Sequence, residues 1–324
     1  MKGMICERLD GPRALRLADW PAVPPGPGEV RVALQAAGVN YPDLLMTRGG
    51  YQHKPALPFA PGMEGAGVVA EIGPGVEGFA VGQPVAVTAR SGTFADTITV
   101  PADALLALAP GTDPAVAAAL PVAIKTAHVS LVRRARLRAG EWLLVHGAAG
   151  GVGAATVVLG KRLGARVIAA GSTAAKRDFL RELGADRVID AEPGFAARVN
   201  EITDGQGADV VFDPVGGAVF EESVQCLAQR GRLLIVGFAG GTFGVPDLQR
   251  LQRGEGQLIG VRAGEIGRRD PAVGAASRAA MRELLVAPEF APIVRESLPL
   301  DDAAMALERL DGRRAIGKIV LRTA

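Results

Sequence analysis

The sequence predicts an α/β protein of two domains, in which an antiparallel β domain precedes a doubly wound, six-stranded parallel sheet. Residues 1–110 contain short alternating runs between Pro- and Gly-rich turns. From 142 to 262, apolar strand-like runs alternate with segments that can form helices, and a glycine-rich turn follows the first run. The 324 residues are enough for two domains.

The first domain is predicted from runs of alternating apolar and polar residues that turn signals separate. This spacing is typical of an antiparallel β domain, and we expect a barrel. The composition changes at Asp113, where an Ala-rich segment with helical periodicity runs to residue 137 and is broken at Pro121. The clearest strand-like runs are 29–36, 67–72 and 84–88.

The second domain is predicted from the strand and helix alternation after residue 142. Six strands joined by crossovers form a parallel sheet with right-handed connections, which is a Rossmann-type nucleotide fold. A helix at 275–286 and a strand at 317–321 follow, and we expect this tail to return to the first domain. We therefore assign 1–120 with 265–324 to the first domain and 121–264 to the second. The six predicted strands are 142–146, 166–170, 187–190, 208–213, 231–237 and 257–262.

The glycine-rich turn is the strongest functional signal in the chain. The run W-L-L-V-H-G-A-A-G-G-V-G at 142–153 passes from a strand into a predicted helix at 154–163. Gly150 and Gly153 hold two positions of the G-x-G-x-x-G pattern, and Ala148 replaces its first glycine. Such a turn binds a diphosphate through backbone N–H groups, here those of Gly150, Gly151 and Val152. The alternative is a glycine-rich turn that binds no ligand.

The residues after the second strand favour NADPH as the cofactor. NAD-binding proteins place an acidic residue about 20 positions past the turn to bind the ribose 2′-hydroxyl. Here Gly171, Ser172 and Thr173 occupy that place, and Lys176 and Arg177 follow. A hydroxyl group and two cations suit a 2′-phosphate. The alternative is that the two cations only solvate a helix face.

Composition and charge exclude several other classes. The formal net charge is +2 with charges of both signs interspersed, so we expect no nucleic-acid partner. The two cysteines, Cys6 and Cys226, have no metal or redox spacing and indicate a reducing compartment. There is no signal-peptide pattern and no apolar run of membrane-spanning length. We therefore expect a cytoplasmic protein with no membrane association.

Motifs along nearly the whole chain resemble the medium-chain dehydrogenase/reductase superfamily. The resemblance is most specific to its zinc-independent NADPH:quinone oxidoreductase branch, which includes zeta-crystallin. It implies a GroES-like β-barrel domain, completed by the C-terminal segment, together with a Rossmann domain and a homodimer. The motifs are A-A-G-V-N-Y-P-D (36–43), P-G-M-E-G-A-G-V-V (61–69), H-G-A-A-G-G-V-G (146–153), L-G-A-D-R-V-I-D (183–190), D-P-V-G-G (213–217) and G-K-I-V-L (317–321).

The same resemblance argues against a metal site. Zinc alcohol dehydrogenases of the superfamily have a Cys ligand where this chain has Asn40 and a His ligand where it has Met63. Neither asparagine nor methionine is a usual zinc ligand. The structural zinc lobe is also missing between Val87 and Phe94. We expect no metal, and we expect Glu64 to be a structural carboxylate paired with an arginine.

Without a Lewis acid, the reaction must suit an easily reduced acceptor. A quinone that accepts hydride becomes a phenolate, whose conjugate acid has a pKa of about 10, and an enone becomes a delocalised enolate. Both need orientation more than acid catalysis. The resemblance implies catalytic roles for Asn40 and Tyr51. It implies cofactor contacts for Asn40, Thr126, Phe238 and Lys318, in addition to the turn residues, Ser172 and Lys176.

Two other functions remain open from the sequence. An NADPH-dependent 2-enoyl thioester or alkenal reductase would use the same cofactor residues, because substrate identity depends on the pocket loops. A crystallin-like protein that binds NADPH with little turnover is the other possibility. We expect a quinone or enone substrate and a homodimer formed through the edge strand predicted at 257–262.

Overall fold

The protein is described from a computed structural model that covers residues 1–323 and, within them, all side chains except those at 267–269 and 271. The chain divides into two compact units. The first contains residues 1–122 together with the segment that begins at Arg278, and the second is Ala123–Ser277. The second boundary therefore lies inside a helix, and not between residues 264 and 265 as the sequence suggested.

The elements are numbered in chain order. The strands are β1 (Lys2–Cys6), β2 (Leu15–Asp19), β3 (Glu29–Gly38), β4 (Glu64–Ile72), β5 (Pro84–Thr88), β6 (Thr97–Pro101), β7 (Leu105–Ala107), β8 (Trp142–Val145), β9 (Arg166–Ala170), β10 (Arg187–Ile189), β11 (Ala208–Asp213), β12 (Leu227–Ile235), β13 (Gln257–Gly260), β14 (Val294–Pro299) and β15 (Lys318–Arg322). The α-helices are α1 (Tyr41–Thr47), α2 (Pro114–Ala119), α3 (Pro121–His128), α4 (Gly151–Arg162), α5 (Ala174–Glu182), α6 (Phe195–Ile202), α7 (Ala218–Gln225), α8 (Leu248–Arg253), α9 (Ala263–Arg269), α10 (Pro271–Leu284) and α11 (Ala303–Asp311). A π-helix covers Val129–Ala135, and short 3₁₀-helices cover Pro12–Ala14, Ala102–Ala104, Pro288–Ile293 and Leu300–Asp302.

The first unit is built on a seven-stranded sheet. Its strand order is β14-β15-β3-β4-β5-β7, with β6 also paired to β3, and all pairs except β14–β15 are antiparallel. The long strand β3 alternates buried and half-buried residues along its first half, so Val30, Val32 and Leu34 point into an apolar core. Strands β14 and β15 come from the end of the chain, so the tail completes this GroES-like domain as predicted.

The second unit is a six-stranded parallel sheet in the order β10-β9-β8-β11-β12-β13. This is the Rossmann order, with the strand sequence reversing next to β8. The central strand β8 is buried along its length, which explains why its sequence is a continuous apolar run. All six predicted strands are present, and the sheet confirms the predicted fold class.

The structure differs from the sequence prediction in the bounds of some elements, where the sequence carries no clear start or stop residue. Strand β12 begins at Leu227 and not at residue 231, because Leu227 pairs with Ala208 before a register shift in β11. The Ala-rich segment contains α2 and α3 on either side of Leu120, and then ends as a π-helix. In residues 1–323, no helix has the length and apolar character needed to cross a membrane.

Candidate functional site

A buried polar cluster lies in the first unit where β3, β4 and β15 are neighbours. Asn40 follows β3 and precedes α1, Glu64 begins β4, and Lys318 begins β15. The three side chains are at most 6% exposed. Lys318 Nζ donates to Glu64 Oε1 at 2.5 Å and to Asn40 Oδ1 at 2.8 Å. The strands thus bring together three residues that are far apart in the sequence.

The orientation of the Asn40 amide follows from its partners. Lys318 can only donate and an ionised Glu64 can only accept, so the oxygen must face Nζ and the nitrogen must face Glu64. Asn40 Nδ2 donates to Glu64 Oε1 at 2.8 Å and to Gly38 O at 3.4 Å. Both amide protons are therefore used inside the protein. The group that remains available to a ligand is the second lone pair of Oδ1, which makes Asn40 an acceptor.

The hydrogen bonds of Lys318 bear on its predicted role as a cofactor contact. Its third proton goes to Val39 O at 2.9 Å, so each ammonium proton has an acceptor within the first unit. These bonds favour a positioning role for Lys318, and its predicted cofactor contact stays a prediction. Glu64 differs from expectation, because its partner is a lysine and not an arginine. Its second oxygen accepts from the Val122 N–H at 2.6 Å, which completes its role as a structural carboxylate.

Gly38 explains how the Glu64 carboxylate fits so close to β3. A Cβ at Gly38 would lie 2.6 Å from Glu64 Oε1 and 2.5 Å from the backbone oxygen of Ala118. Real Cβ atoms essentially never approach other atoms this closely. The residue must therefore be glycine for Glu64 to reach both Lys318 and Asn40.

Asp43 is a second buried carboxylate beside this cluster. Its oxygens accept from the backbone N–H groups of Asn40 at 2.8 Å and Gly62 at 3.2 Å, which fixes the start of α1. Burial raises the pKa of Asp43 to about 7, while the two N–H bonds and the charge of Lys318 oppose that rise. These contacts make Asp43 part of the capping box at the start of α1.

The residues at the expected zinc positions do not fit a zinc ion. The side-chain amide of Asn40 is already hydrogen-bonded to Glu64 and Lys318. The half-buried Met63 packs against an apolar cluster. Tyr51 packs against the same cluster. Among the described residues, no group of three or more His, Cys, Asp or Glu side chains is placed to hold a metal.

The glycine-rich turn connects β8 to α4 in the second unit. Gly147 has a left-handed φ of +56°, whereas Ala148 does not, which explains why alanine is accepted at the first position of the pattern. A Cβ at Gly153 would lie 2.2 Å from Gly147 O. Gly153 is therefore required so that the helix can pack on its own turn.

Gly150 differs from Gly153, because the surrounding protein atoms leave room for a Cβ at residue 150. A Cβ there would meet Gly147 O at 3.4 Å, an ordinary contact. Gly150 is the N-cap of α4 and makes no side-chain capping bond. The first N–H groups of the helix, including those of Gly151 and Val152, therefore have no intrahelical acceptor. This is a cradle suited to a diphosphate, and a side chain at residue 150 would occupy it.

The residues after β9 form a polar group at the start of α5. Thr173 Oγ1 accepts from the Lys176 N–H at 3.3 Å, and Lys176 Nζ lies 3.4 Å from Ser172 Oγ. Arg177 is engaged elsewhere, because its Nη1 donates to Asp190 Oδ2 at 2.6 Å and to Gly171 O at 3.1 Å. Of the two predicted cations, Lys176 is thus the one beside the hydroxyl groups. The Asp190 contact was missed because it depends on strand order.

The loop that follows β11 is fixed by Asp213. This buried carboxylate ends β11 and accepts from the N–H groups of Val215 at 2.7 Å and Gly216 at 3.0 Å. Burial raises its pKa despite these bonds.

Phe238 is half-buried and its ring lies 4.6 Å from that of Phe243. Thr126 is half-buried in α3. These positions leave the predicted contacts of Thr126 and Phe238 as proposals.

His146, directly after β8, is a buried residue that the sequence did not single out. Its Nε2 lies 2.9 Å from Ser223 Oγ, and that hydroxyl donates to Val219 O at 2.7 Å. Because the hydroxyl proton is used, Nε2 must donate, which fixes the tautomer. Burial lowers the pKa of His146 to about 3, so the ring is neutral. The side chain anchors the glycine-rich turn to α7.

Comparisons with known proteins agree with this architecture. Residues 26–110 match the family described as "Alcohol dehydrogenase GroES-like domain", and residues 151–278 match "Zinc-binding dehydrogenase". The solved structure of a mycobacterial protein complexed with NADPH has 32% identity and a TM-score of 0.88, covering 99% of this chain and 100% of its own.

Two relatives match most of the chain. A "Quinone oxidoreductase-like protein 2 homolog" from Nematostella vectensis is 34% identical over 302 residues, which are 92% of this chain and 82% of that protein. "Erythronolide synthase EryA2" from Saccharopolyspora erythraea is 39% identical over 298 residues, 91% of this chain but 8% of the synthase. The chain therefore belongs to the medium-chain dehydrogenase/reductase superfamily, in its quinone oxidoreductase branch.

Proposed function

We propose that this oxidoreductase transfers hydride from NADPH to a quinone or another activated α,β-unsaturated carbonyl compound without a metal. The observation on which the proposal rests is the pairing of an open diphosphate cradle with a lysine and two hydroxyl residues where an NAD-specific acidic residue would stand. The similarity to a protein solved with NADPH supports the same cofactor. The similarity to a quinone oxidoreductase-like protein supports the acceptor class.

The second unit supplies the groups that would hold the cofactor. Gly150, Gly151 and Val152 offer backbone N–H groups and an open approach to a diphosphate. Ser172 and Lys176 would bind the 2′-phosphate, and we retain Thr126 and Phe238 as further contacts. NADPH, when bound, supplies the hydride.

Asn40 and Tyr51 of the first unit are proposed to orient the substrate. Because both amide protons of Asn40 are used by Glu64 and Gly38, Asn40 acts through Oδ1, as an acceptor for a donor group or an ordered water. Lys318 and Glu64 hold that oxygen in place. No residue of this cluster needs to supply a strong acid, because a quinone or enone product anion is stable enough to leave with modest hydrogen bonding.

Replacing Lys176 by alanine tests the cofactor assignment. We expect the Kd for NADPH to rise by about tenfold or more, because a charge-assisted contact to the 2′-phosphate is lost, while the Kd for NADH changes little. Arg181→Ala is the matched control, because Arg181 lies on the same helix and pairs with Asp178. Fluorescence titration of the reduced cofactors measures both constants. An equal loss for NADPH and NADH would remove Lys176 from the phosphate site.

A 2-enoyl thioester or alkenal is the second candidate acceptor. The similarity to part of an erythronolide synthase over 298 residues favours it. NADPH oxidation measured in parallel with naphthoquinone and crotonyl-CoA separates the two. A clear preference for crotonyl-CoA would make the thioester the substrate class. Tight NADPH binding with no oxidation by any acceptor would favour a binding protein of the crystallin kind.

We also propose a cytoplasmic homodimer. Strand β13 is the outer strand of the parallel sheet, and its residues Gln257, Leu258 and Gly260 are exposed, so it has an edge that a second copy can pair with. Sedimentation velocity checks the oligomeric state, and a monomer at micromolar concentration would contradict the proposal.

A further inference from the structure

An arginine-rich cavity of about 510 Å³ lies in the second unit, in the size range of small-molecule sites. Its wall includes Asp209 of β11 and Gln257 of β13, so it lies at the amino ends of the parallel strands. The glycine-rich turn follows the carboxyl end of β8, at the opposite edge of the sheet. The cavity is therefore separate from the proposed nucleotide site. Six arginines line it: Arg133, Arg134, Arg136, Arg138, Arg230 and Arg232.

Part of this positive charge has no carboxylate partner, although Glu141 and Asp209 also line the cavity. Arg232 pairs with Glu141, with Nη2 to Oε2 at 2.8 Å, and Arg230 Nε donates to Glu255 at 2.7 Å. The charge of Glu141 also attracts Arg138, and for Arg133, Arg134 and Arg136 no carboxylate partner is present in the described part of the chain. Guanidinium groups this close in the sequence repel one another, and an anion between them would relieve that repulsion.

Arg133 adds an unsatisfied donor. This half-buried residue lines the cavity, and its Nε is buried without a hydrogen-bond partner among the described residues. A buried donor without an acceptor is costly, and a donor on a charged group is more costly still. An anionic ligand in the cavity would offset part of that cost through its charge.

The backbone is also unusual at two of these arginines. Arg136 has φ +50° at the end of the π-helix, and Arg230 has φ +59°. Glycine is the residue favoured in this left-handed conformation, especially after a helix end. Arg136 and Arg230 therefore both occupy positions where glycine is favoured, and both residues line this cavity.

We propose that this cavity binds a small molecule carrying two or more phosphate groups. Guanidinium groups bind phosphate oxygens through paired N–H donors, and several arginines suit a ligand of several negative charges. A volume of about 510 Å³ favours a ligand of small-molecule size over an extended nucleic acid or an acidic protein surface. The site lies within one unit and requires no group from the other.

Calorimetric titration with inorganic tripolyphosphate tests the proposal on the full-length protein. NADPH is added at saturation so that the nucleotide cradle is occupied. We expect one saturable site whose affinity falls as salt rises, and we expect the same binding in Lys176→Ala. The absence of saturable binding would overturn the proposal. So would equally weak binding of tripolyphosphate and of an uncharged polymer, or binding of RNA in preference to tripolyphosphate.

Arg136→Gly separates a ligand role from a structural role. Glycine relieves the left-handed backbone, so we expect a higher Tm together with tripolyphosphate binding that is about tenfold weaker. Arg313→Gly is the matched control, because Arg313 also has a left-handed φ, +54°, but lies outside the cavity. The control should leave binding unchanged. Equal losses in both variants, or no loss in Arg136→Gly, would contradict the assignment.

Discussion

At the residue scale, the central feature is a lysine and a glutamate that are both buried. Lys318 is 3% exposed and Glu64 is fully buried, so each charge has left water. The desolvation cost is offset only because both ions have several hydrogen-bond partners. Such a pair contributes little net stability compared with an apolar pair. Its effect is to fix the orientation of the Asn40 amide.

A double-mutant cycle on this pair gives the first prediction. Lys318→Met leaves the Glu64 carboxylate buried beside Asn40 without a cation, and we expect the free energy of unfolding to fall by about 3–5 kcal/mol. The double variant Glu64→Gln/Lys318→Met should recover part of that loss, because no buried charge remains. Urea unfolding measures each variant. If the loss of stability in the double variant equals the sum of the losses in Lys318→Met and Glu64→Gln, the two side chains do not interact.

The buried histidine gives a prediction for pH dependence. The pKa of His146 is lowered from 6.5 to about 3, so below pH 6.5 the unfolded chain binds a proton that the folded chain does not. Stability from this group is complete above pH 6.5 and is lost as the pH falls towards 3, by about 1.4 kcal/mol per pH unit. His146→Gln should reduce this slope in urea unfolding measured from pH 7 to pH 5. An unchanged slope would contradict a neutral buried ring.

Individual site residues were only partly predictable. Asn40, Ser172 and Lys176 were identified from motif position, and the structure places each beside polar partners. The partners themselves were not predicted, because Lys318 reaches Glu64 only through the pairing of β15, β3 and β4. The same holds for Arg177, whose bond to Asp190 depends on the neighbouring strand β10.

At the element scale, two glycines of one turn have different functions. Gly153 is required by packing within the turn, whereas Gly150 is compatible with a side chain. The motif alone cannot separate them, because both match the same pattern. The two glycines are distinguished by the atoms that an added Cβ would contact at each position.

Substitution of each glycine by alanine tests this distinction. Gly150→Ala should leave Tm nearly unchanged and weaken binding of both NADPH and NADH, because the methyl group enters the diphosphate cradle. Gly153→Ala should lower Tm, because its Cβ would overlap Gly147 O and the turn must shift. Thermal unfolding and cofactor titration of both variants check the prediction. A large loss of stability in Gly150→Ala would remove the argument for an open cradle.

At the scale of the whole molecule, the sequence was most informative about the parallel sheet. Strands buried on both faces, such as β8, are continuous apolar runs, and the outer strands were identified from the regular alternation with helical segments. The boundary in α10 was missed because a helix that runs through it gives no composition change. The π-helix after α3 was missed because Val129–Ala135 has the periodicity of an ordinary helix end.

The reaction proposed for the whole molecule is the reduction of a conjugated acceptor by NADPH without a metal. Stopped-flow NADPH oxidation with naphthoquinone, in the presence of a chelator, tests this most directly. We predict rapid oxidation that depends on acceptor concentration and that neither the chelator nor added Zn²⁺ changes. Oxidation that requires Zn²⁺, or a bound NADPH that neither naphthoquinone nor crotonyl-CoA can oxidise, would contradict the account.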